Sequence, residues 1–459
     1  MRAVLDTTVA QLAEVCGGTV TSGNGNTKIS CITSDSRDTM NDCIFIPLSG
    51  EKFDAHDFIM SLIESKSVAA VFSEKDGFEN AATEKGIAII RCDNALATLG
   101  KIAQAHRSQS NAKVVAVTGT NGKTTTKEIL HAALSKHFNT HKNEKNFNNE
   151  IGVPFAVLEL AKEHEAAVFE LGMNHAGEID RLSAIVKPNI AIITNAGEGH
   201  LEFLGSVENV ARAKMEIISG MSKDGLLILN RDSQCFELML AIAIEAGIKV
   251  KTFGIGNNAD FYPESYRMGI DFIEVVFSDI VIEAPLYGIH NVYNLIAVFA
   301  VLRELEVPMD CLKSAMKNFS LVGGRSQIID KGFFVINDTY NSNPLSSESA
   351  IRSIVEIFPK SKKFAALSDM KELGDAAIEC HRKIGSLAAE NFNTLCVWGE
   401  MADEYLRGAS ANAHCNTKLF DSKESMAAYI KSHVSKNDVV LVKGSRSMKM
   451  EDVTEFLIK

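Results

Sequence analysis

The segment Gly119-Thr120-Asn121-Gly122-Lys123-Thr124-Thr125 follows the apolar run Val114-Val115-Ala116-Val117 and precedes Ile129, Leu130, Ala133, Leu134 and Phe138 at helical spacing. A strand, a glycine turn and a helix start gather backbone N–H groups and the positive end of a helix dipole around one point. That is a cradle for phosphate oxygens. Lys123 is then placed to neutralise the outer phosphates and the Thr124 hydroxyl to ligate Mg²⁺. Strict phosphate-loop spacing puts a glycine at position 117, where Val117 stands, so the generic pattern is met in part. The bland alternative is a turn with an exposed lysine. The motif points to nucleotide binding and says nothing of the reaction.

Three further side chains are out of the ordinary for where they stand. Glu170 ends the apolar run Ala167-Val168-Phe169, and by itself reads as a strand-end carboxylate paired with a base. His200 follows the polar loop Asn195-Ala196-Gly197-Glu198-Gly199, where a hydrogen-bonded loop histidine is the common outcome. Lys214 is stranger. Ser206 is placed as an N-cap, and Val210, Ala211, Ile217, Ile218 and Met221 form an apolar stripe with Lys214 at its centre. Its ammonium either snorkels out past the core or loses its proton to desolvation. A neutral amine there takes up CO₂ as a carbamate, an anionic metal ligand.

Further on, Asn291 and Asn294 stand at i and i+3 on the first turn of a strongly apolar helix that continues over 295–305, where they cap the helix or read a base edge. Asp338 ends a strand and leads into Thr339-Tyr340-Asn341-Ser342-Asn343-Pro344, a polar turn before a helix. Lys443-Gly444-Ser445-Arg446 places two cations after another apolar run.

These residues need elements to hold them. Apolar strands at 114–117, 167–171, 190–194 and 226–229 alternate with amphipathic helices, and a second such series occupies 333–337, 363–367, 394–398 and 439–442. That alternation marks mostly parallel sheets covered on both faces, with ligands beyond the C-terminal strand ends. Residues 1–90 mix short strands and helices. The expected fold is α/β in three domains: a small N-terminal α/β unit (1–90), a central phosphate-loop unit with a mostly parallel sheet (91–322) and a Rossmann-like C-terminal unit (323–459), hinged at Gly323-Gly324. The length of 459 residues agrees with about three domains.

Composition excludes more than it identifies. A net charge of −11 argues against a broad basic face for nucleic acid or an anionic membrane. The nine cysteines are scattered with no C-x-x-C spacing, which argues against a zinc ribbon or a disulfide framework and for reduced thiols. The first residues lack a signal-peptide core, and the longest apolar run, 295–302, is too short for a bilayer. The expectation is a soluble, reduced, intracellular protein.

Taken in order, the phosphate loop, Glu170, His200, Lys214, Asn291, Arg325 and Asp338 resemble the Mur ligase family, ATP-dependent amide-forming enzymes of peptidoglycan precursor synthesis. Asn146-Phe147-Asn148-Asn149-Glu150-Ile151-Gly152-Val153-Pro154, Glu170-Leu171-Gly172-Met173-Asn174, His200-Leu201-Glu202 and Ala213-Lys214-Met215-Glu216-Ile217 are similar to family blocks. The resemblance covers essentially the whole chain. It implies ATP contacts at Gly119, Thr120, Asn121, Gly122, Lys123, Thr124, Thr125, Asn291, Asn294, Arg325 and Asp338. It also implies two Mg²⁺ ions near Thr124, Glu170 and His200, a carbamate on Lys214, and catalytic roles for Lys123, Lys214, His200, Asn148 and Asn149. In the first unit Ser34-Asp35-Ser36-Arg37 and the block containing Asp54 and His56 resemble the part of the family that holds a UDP-sugar, so Ser34, Ser36, Arg37, Asp54 and His56 are implied contacts.

The segments 338–344 and 443–446 resemble those of the members that add D-alanyl-D-alanine, which brings Tyr340, Asn341, Asn343, Lys443 and Arg446 forward as substrate contacts. Ser342 and Ser368 replace a usual alanine and a usual glycine. The implied reaction joins UDP-N-acetylmuramoyl-tripeptide to D-alanyl-D-alanine through an acyl phosphate, in a monomeric enzyme of the bacterial cytoplasm. Rival readings are a ligase of the same family for another amino acid or for a folate, a catalytically silent nucleotide-binding relative, and a phosphate-loop kinase.

Overall fold

The computed structural model describes residues 1–50, 53–144, 146–320 and 327–459. The Gly323-Gly324 hinge and Arg325 therefore lie outside the described residues.

Three six-stranded sheets organise the chain. The first runs Arg2–Thr8, Lys28–Thr33, Cys43–Phe45, Ala70–Ser73, Ala88–Arg91, Thr19–Ser22 in spatial order, parallel in its middle and antiparallel at both edges. Thr8 caps the helix Val9–Cys16 with a reciprocal Gln11 bond, and Gly17 ends it in the left-handed region. The helix Ala95–Arg107 follows, its Leu99, Ile102 and Ala103 buried in an apolar core shared with the first and second sheets.

The second sheet is wholly parallel, in the order Thr140–Lys142, Ala166–Glu170, Lys113–Thr118, Ile190–Ile193, Leu226–Asn230, Lys249–Phe253. Every residue of Ala166–Glu170 and Ile190–Ile193 is buried, as a strand covered on both faces requires. From Lys113–Thr118 the chain builds outward in both directions, which makes the end of that strand the topological switch point and its crevice the binding position. A three-stranded antiparallel sheet, Ser265–Met268, Ile273–Phe277 and Ile280–Ala284, was not foreseen. It packs with the apolar helix Ile289–Glu304 in a second core.

The third sheet runs Gln327–Asp330, Phe334–Asp338, Val439–Lys443, Lys363–Ser368, Thr394–Trp398, Asn416–Leu419, parallel except for its first pair. Asp338 and Lys443 are register partners at the ends of adjacent strands.

One expectation is corrected. Cys31 and Cys43 are not separate thiols: they face each other across neighbouring parallel strands, Cα atoms 4.5 Å apart, and are joined as a disulfide. Strand pairing, invisible in linear spacing, brings them together; the other seven cysteines are free. No described helix is long and apolar enough to cross a membrane.

Candidate active site

The loop after Lys113–Thr118 turns through Gly119 and Gly122, at φ 152° and 82°. Neither position admits a side chain. A Cβ on Gly119 would meet Thr194 Oγ1 at 1.8 Å, and one on Gly122 would meet Asn294 Oδ1 at 2.5 Å. The helix Lys123–Leu134 then starts at the loop. Lys123 Nζ donates to the carbonyls of Gly119 (2.7 Å) and Thr120 (3.2 Å), lying back along the cradle it forms.

Glu170 ends the neighbouring strand opposite Val117. It is buried, and both its carboxylate oxygens are used: Thr124 Oγ1 donates to Oε2 at 2.8 Å and Asn148 Nδ2 to Oε1 at 2.7 Å. The side chain of Asn143 brackets the Glu170 backbone, accepting from its N–H at 2.8 Å and donating to its carbonyl at 3.0 Å. Asn149 caps the turn beyond, its Oδ1 accepting from Gly152 N at 2.9 Å. These are hard oxygen donors held rigidly beside a phosphate cradle, a donor set suited to Mg²⁺.

A cleft of ≈ 680 Å³ opens here, lined by Thr120 to Thr124, Asn148, Asn149, Glu170 and His200, and from the third sheet's side by Tyr340, Asn341, Asn343, Glu372 and Arg446. His200 has a left-handed backbone (φ 56°), and its Nδ1 lies 2.8 Å from Glu372 Oε2. Arg446 pairs with Glu451 at 2.9 Å while facing the cleft.

Lys214 does not snorkel. It is 1 % exposed, on the helix Val207–Met215 that Ser206 caps as expected, and its Nζ makes no hydrogen bond or ion pair among the described residues. Burial, then the nearby Lys123 ammonium, holds its pKa well below the usual lysine range. A second cation beside Lys123 is disfavoured there, whereas an anion is favoured, so the position fits a carbamate. Lys214 is not among the residues that line the cleft.

An adjoining cleft of ≈ 400 Å³ is lined by Gly122, Thr125, Asp232, His290, Tyr293, Asn294, Asp338, Tyr340, Asn341 and Lys443, among others. Asn291 and Asn294 do not cap their helix, whose N-cap is Gly288. They form a relay instead. Thr126 Oγ1 donates to Asn294 Oδ1 (3.2 Å), Asn294 Nδ2 to Asn291 Oδ1 (2.9 Å), and Asn291 Nδ2 to the Tyr287 carbonyl (2.7 Å). Asn294 thus backs the phosphate loop, and Asn291 stands one step further from the ligand space. Lys443, read from sequence as a substrate contact, is 1 % exposed and bonds Asp338 Oδ2 at 2.5 Å and the Asn341 carbonyl at 3.1 Å.

The first-unit residues stand apart from both clefts, on the C-terminal edge of their own sheet. Arg37 pairs with Asp35 through two hydrogen bonds of 2.9 and 2.8 Å, and holds its carboxyl well below the usual range. Asp54 accepts from His56 Nδ1 (2.7 Å) and Lys75 Nζ (2.5 Å), and the buried His56 accepts from Glu74 N at 3.2 Å through Nε2. Ser34 and Ser36 belong to the loop that carries Arg37.

Sequence reasoning missed Glu372 and the link between Asn121 and Asn343. The signal for the first was present in Asp369-Met370-Lys371-Glu372-Leu373-Gly374 after a buried strand, but nothing local joined it to His200.

A parallel sheet with a phosphate loop at its switch point, faced by a second parallel unit that completes the cleft, defines a nucleotide-dependent ligase scaffold. The chain matches the Mur ligase middle domain over residues 117–302 and the Mur ligase glutamate ligase domain over 324–446, and it belongs to the Mur ligase family. The UDP-N-acetylmuramoyl-tripeptide–D-alanyl-D-alanine ligase of Bacillus subtilis (strain 168) is 34% identical over 464 residues, 98% of each chain. Among solved structures, MurF from Acinetobacter baumannii superposes with a TM-score of 0.89 at 30% identity, covering 99% of both chains. MurF from Thermotoga maritima in complex with ADP gives 0.81 at 27% identity, covering 93% of this chain and 96% of that one.

Proposed function

We propose that this protein is an ATP-dependent ligase joining the terminal carboxylate of UDP-N-acetylmuramoyl-tripeptide to the amine of D-alanyl-D-alanine, in the making of peptidoglycan precursors. The observation that carries the reading is the cleft in which Lys123, Thr124, Glu170 and His200 meet Tyr340, Asn341 and Asn343 of the third unit. A kinase making a stable phosphoester would have no use for that second wall. The full-length likeness to D-alanyl-D-alanine-adding ligases supports the choice of amine.

In this reading the first unit (1–90) holds the UDP end through Ser34, Ser36, Arg37, Asp54 and His56. The second (91–322) holds ATP, its adenosine in the cleft lined by Asn294, Asp338 and Lys443 and its phosphates at the loop. The third (323–459) presents the dipeptide beside Tyr340, Asn341 and Arg446. Lys123 offsets phosphate charge while the tripeptide carboxylate attacks the γ-phosphorus and the bond to the β-phosphate oxygen breaks, giving ADP and an acyl phosphate. The dipeptide amine adds to the acyl carbon, loses its proton, and phosphate leaves with the C–O bond. Asn148 fixes the Glu170 carboxylate throughout. Thr124, Glu170 and His200 would hold Mg²⁺, with Lys214 as its carbamate, and the metal when bound offsets the charge of reacting phosphates and carboxylate. The enzyme is read as a monomer of the bacterial cytoplasm.

The test is incubation with ATP, Mg²⁺ and UDP-N-acetylmuramoyl-tripeptide, followed by single amino acids, glutamate with a folate, or D-alanyl-D-alanine. Phosphate and a new amide only with the dipeptide are expected. ATP turnover without an amide overturns the reading.

A further inference from the structure

We propose that Glu372 is a positioning residue for His200, supplied across the boundary between the second and third units, so that the His200 imidazole is set for the reaction only when the third unit is docked. The inference rests on the role given to His200 above.

The Nδ1 atom of His200 is sealed from water, and among the described residues no well-aligned hydrogen-bond partner meets it. An orphaned buried ring nitrogen is costly, and one group stands within reach: Glu372 Oε2, at 2.8 Å. The contact is close but out of line with the ring N–H direction, as is common before substrates draw such a site together. Once aligned, the carboxylate accepts from Nδ1–H, which fixes the tautomer and leaves the Nε2 lone pair for the cleft.

Both backbones are built for this approach. His200 and Glu372 are non-glycine residues in the left-handed region, at φ 56° and 64°. Such conformations persist where the surroundings enforce them. The Glu372 carbonyl accepts from Glu202 N at 3.1 Å, and a Cβ on Gly374 would reach Glu202 Cα at 3.0 Å, so the two loops touch main chain to main chain. The loop is anchored from behind. Buried Asp369 accepts from Glu400 N and Met401 N at 3.1 and 3.0 Å, and Lys371 N donates to Ser445 Oγ at 2.8 Å. Glu372 itself lines the cleft with His200. Nearby Lys383 also reaches across, 3.8 Å from Glu198, and stands 3.5 Å from Glu348 of its own unit; it does not line the cleft that holds His200 and serves as the control for simple docking.

The experiment is a double-mutant cycle on the full-length enzyme with Glu372→Ala, Glu372→Gln, His200→Ala and the double variant, beside Lys383→Ala. Glu372→Ala is expected to lower kcat about 10- to 100-fold with KM for the dipeptide unchanged. Glu372→Gln restores part of it, because its amide oxygen still accepts from Nδ1–H. In the His200→Ala background Glu372→Ala has no further effect, and Lys383→Ala leaves kcat near wild type. Nitrogen-15 spectra of histidine-labelled enzyme saturated with ADP, UDP-N-acetylmuramoyl-tripeptide and D-alanyl-D-alanine, which cannot turn over, supply a readout apart from activity: the His200 signal, assigned by its loss in His200→Ala, shows Nδ1 protonated in wild type and not in Glu372→Ala. An undiminished Glu372→Ala effect in the His200→Ala background overturns the proposal, as does an unchanged His200 spectrum. Impaired His200→Ala beside unimpaired Glu372→Ala removes the role of Glu372 alone. Fully active His200→Ala removes the reading of His200 beneath it.

Discussion

The side-chain amides of Asn121 and Asn343, 222 positions apart, form a reciprocal pair: Asn121 Nδ2 donates to Asn343 Oδ1 at 3.1 Å and Asn343 Nδ2 to Asn121 Oδ1 at 2.9 Å. Asn343 Oδ1 also caps the helix Pro344–Ile357 by accepting from Ser346 N at 2.9 Å. One side chain therefore starts a helix of the third unit and fastens that helix to the phosphate loop of the second. Asn343→Asp separates the two jobs, since aspartate caps as well as asparagine but cannot donate to Asn121. The melting temperature is expected to stay within about 2 °C of wild type. The KM for ATP should rise about tenfold, equivalent to ~1.4 kcal/mol. Calorimetry and steady-state kinetics on one preparation check both.

Lys123→Met keeps the aliphatic stem and removes the charge. Because methionine keeps the stem and the ammonium donates to loop carbonyls, the fold should survive while kcat drops about 10²- to 10³-fold, the usual cost of losing one preorganised charge at a reacting phosphate. Circular dichroism and a phosphate-release assay are the measurements. Loss of less than about tenfold speaks against its place at the γ-phosphate.

Lys214→Ala should abolish ligation, and because deleting its buried stem leaves a cavity costing about 2–5 kcal/mol, circular dichroism beside the assay checks that the chain still folds. Added short-chain carboxylates should restore part of the activity by occupying the place of the carbamate. Full activity in the alanine variant refutes the role.

His290 gives a pH prediction. Half-buried beside Asn291, Ser349, Asp338 and Lys443, its imidazole is held from the ordinary 6.5 down to about 4, chiefly by desolvation, with Asp338 opposing and Lys443 reinforcing the shift. Between those values the unfolded chain binds more protons at this residue than the folded one, so its contribution to stability falls as the pH is lowered from 6.5 to about 4. His290→Gln lacks that dependence. The melting temperature of wild type relative to the variant should therefore decline across the window, and a constant difference would contradict a neutral ring in the folded chain.

What could be read in advance was local. The phosphate loop is written in seven consecutive residues, the Ser206 cap in one, and the burial of Lys214 in the spacing of Val210, Ala211, Ile217, Ile218 and Met221. The strands of the second and third sheets stand out because buried parallel strands are continuous apolar runs. The edge strands of the first sheet and the antiparallel sheet at 265–284 are short and mixed, and were missed. Lys443 shows the other limit. From sequence it is a cation in a loop, but strand register sets it opposite Asp338, and the two form an ion pair in the wall of the adjoining cleft. Glu372 and His200, like Cys31 and Cys43, meet only through the fold.

The third unit lends Asp338, Tyr340, Asn341 and Lys443 to the cleft proposed for the nucleoside and Tyr340, Asn341, Asn343 and Arg446 to the one beside the phosphates. Tyr340 and Asn341 belong to both walls. Exchanging this unit for that of a relative with a different amine would also replace part of the nucleotide's enclosure, so chimaeras cut between the second and third sheets should inherit altered ATP kinetics along with any new specificity. If the proposed reading holds, substrate choice and fuel handling form a single heritable module.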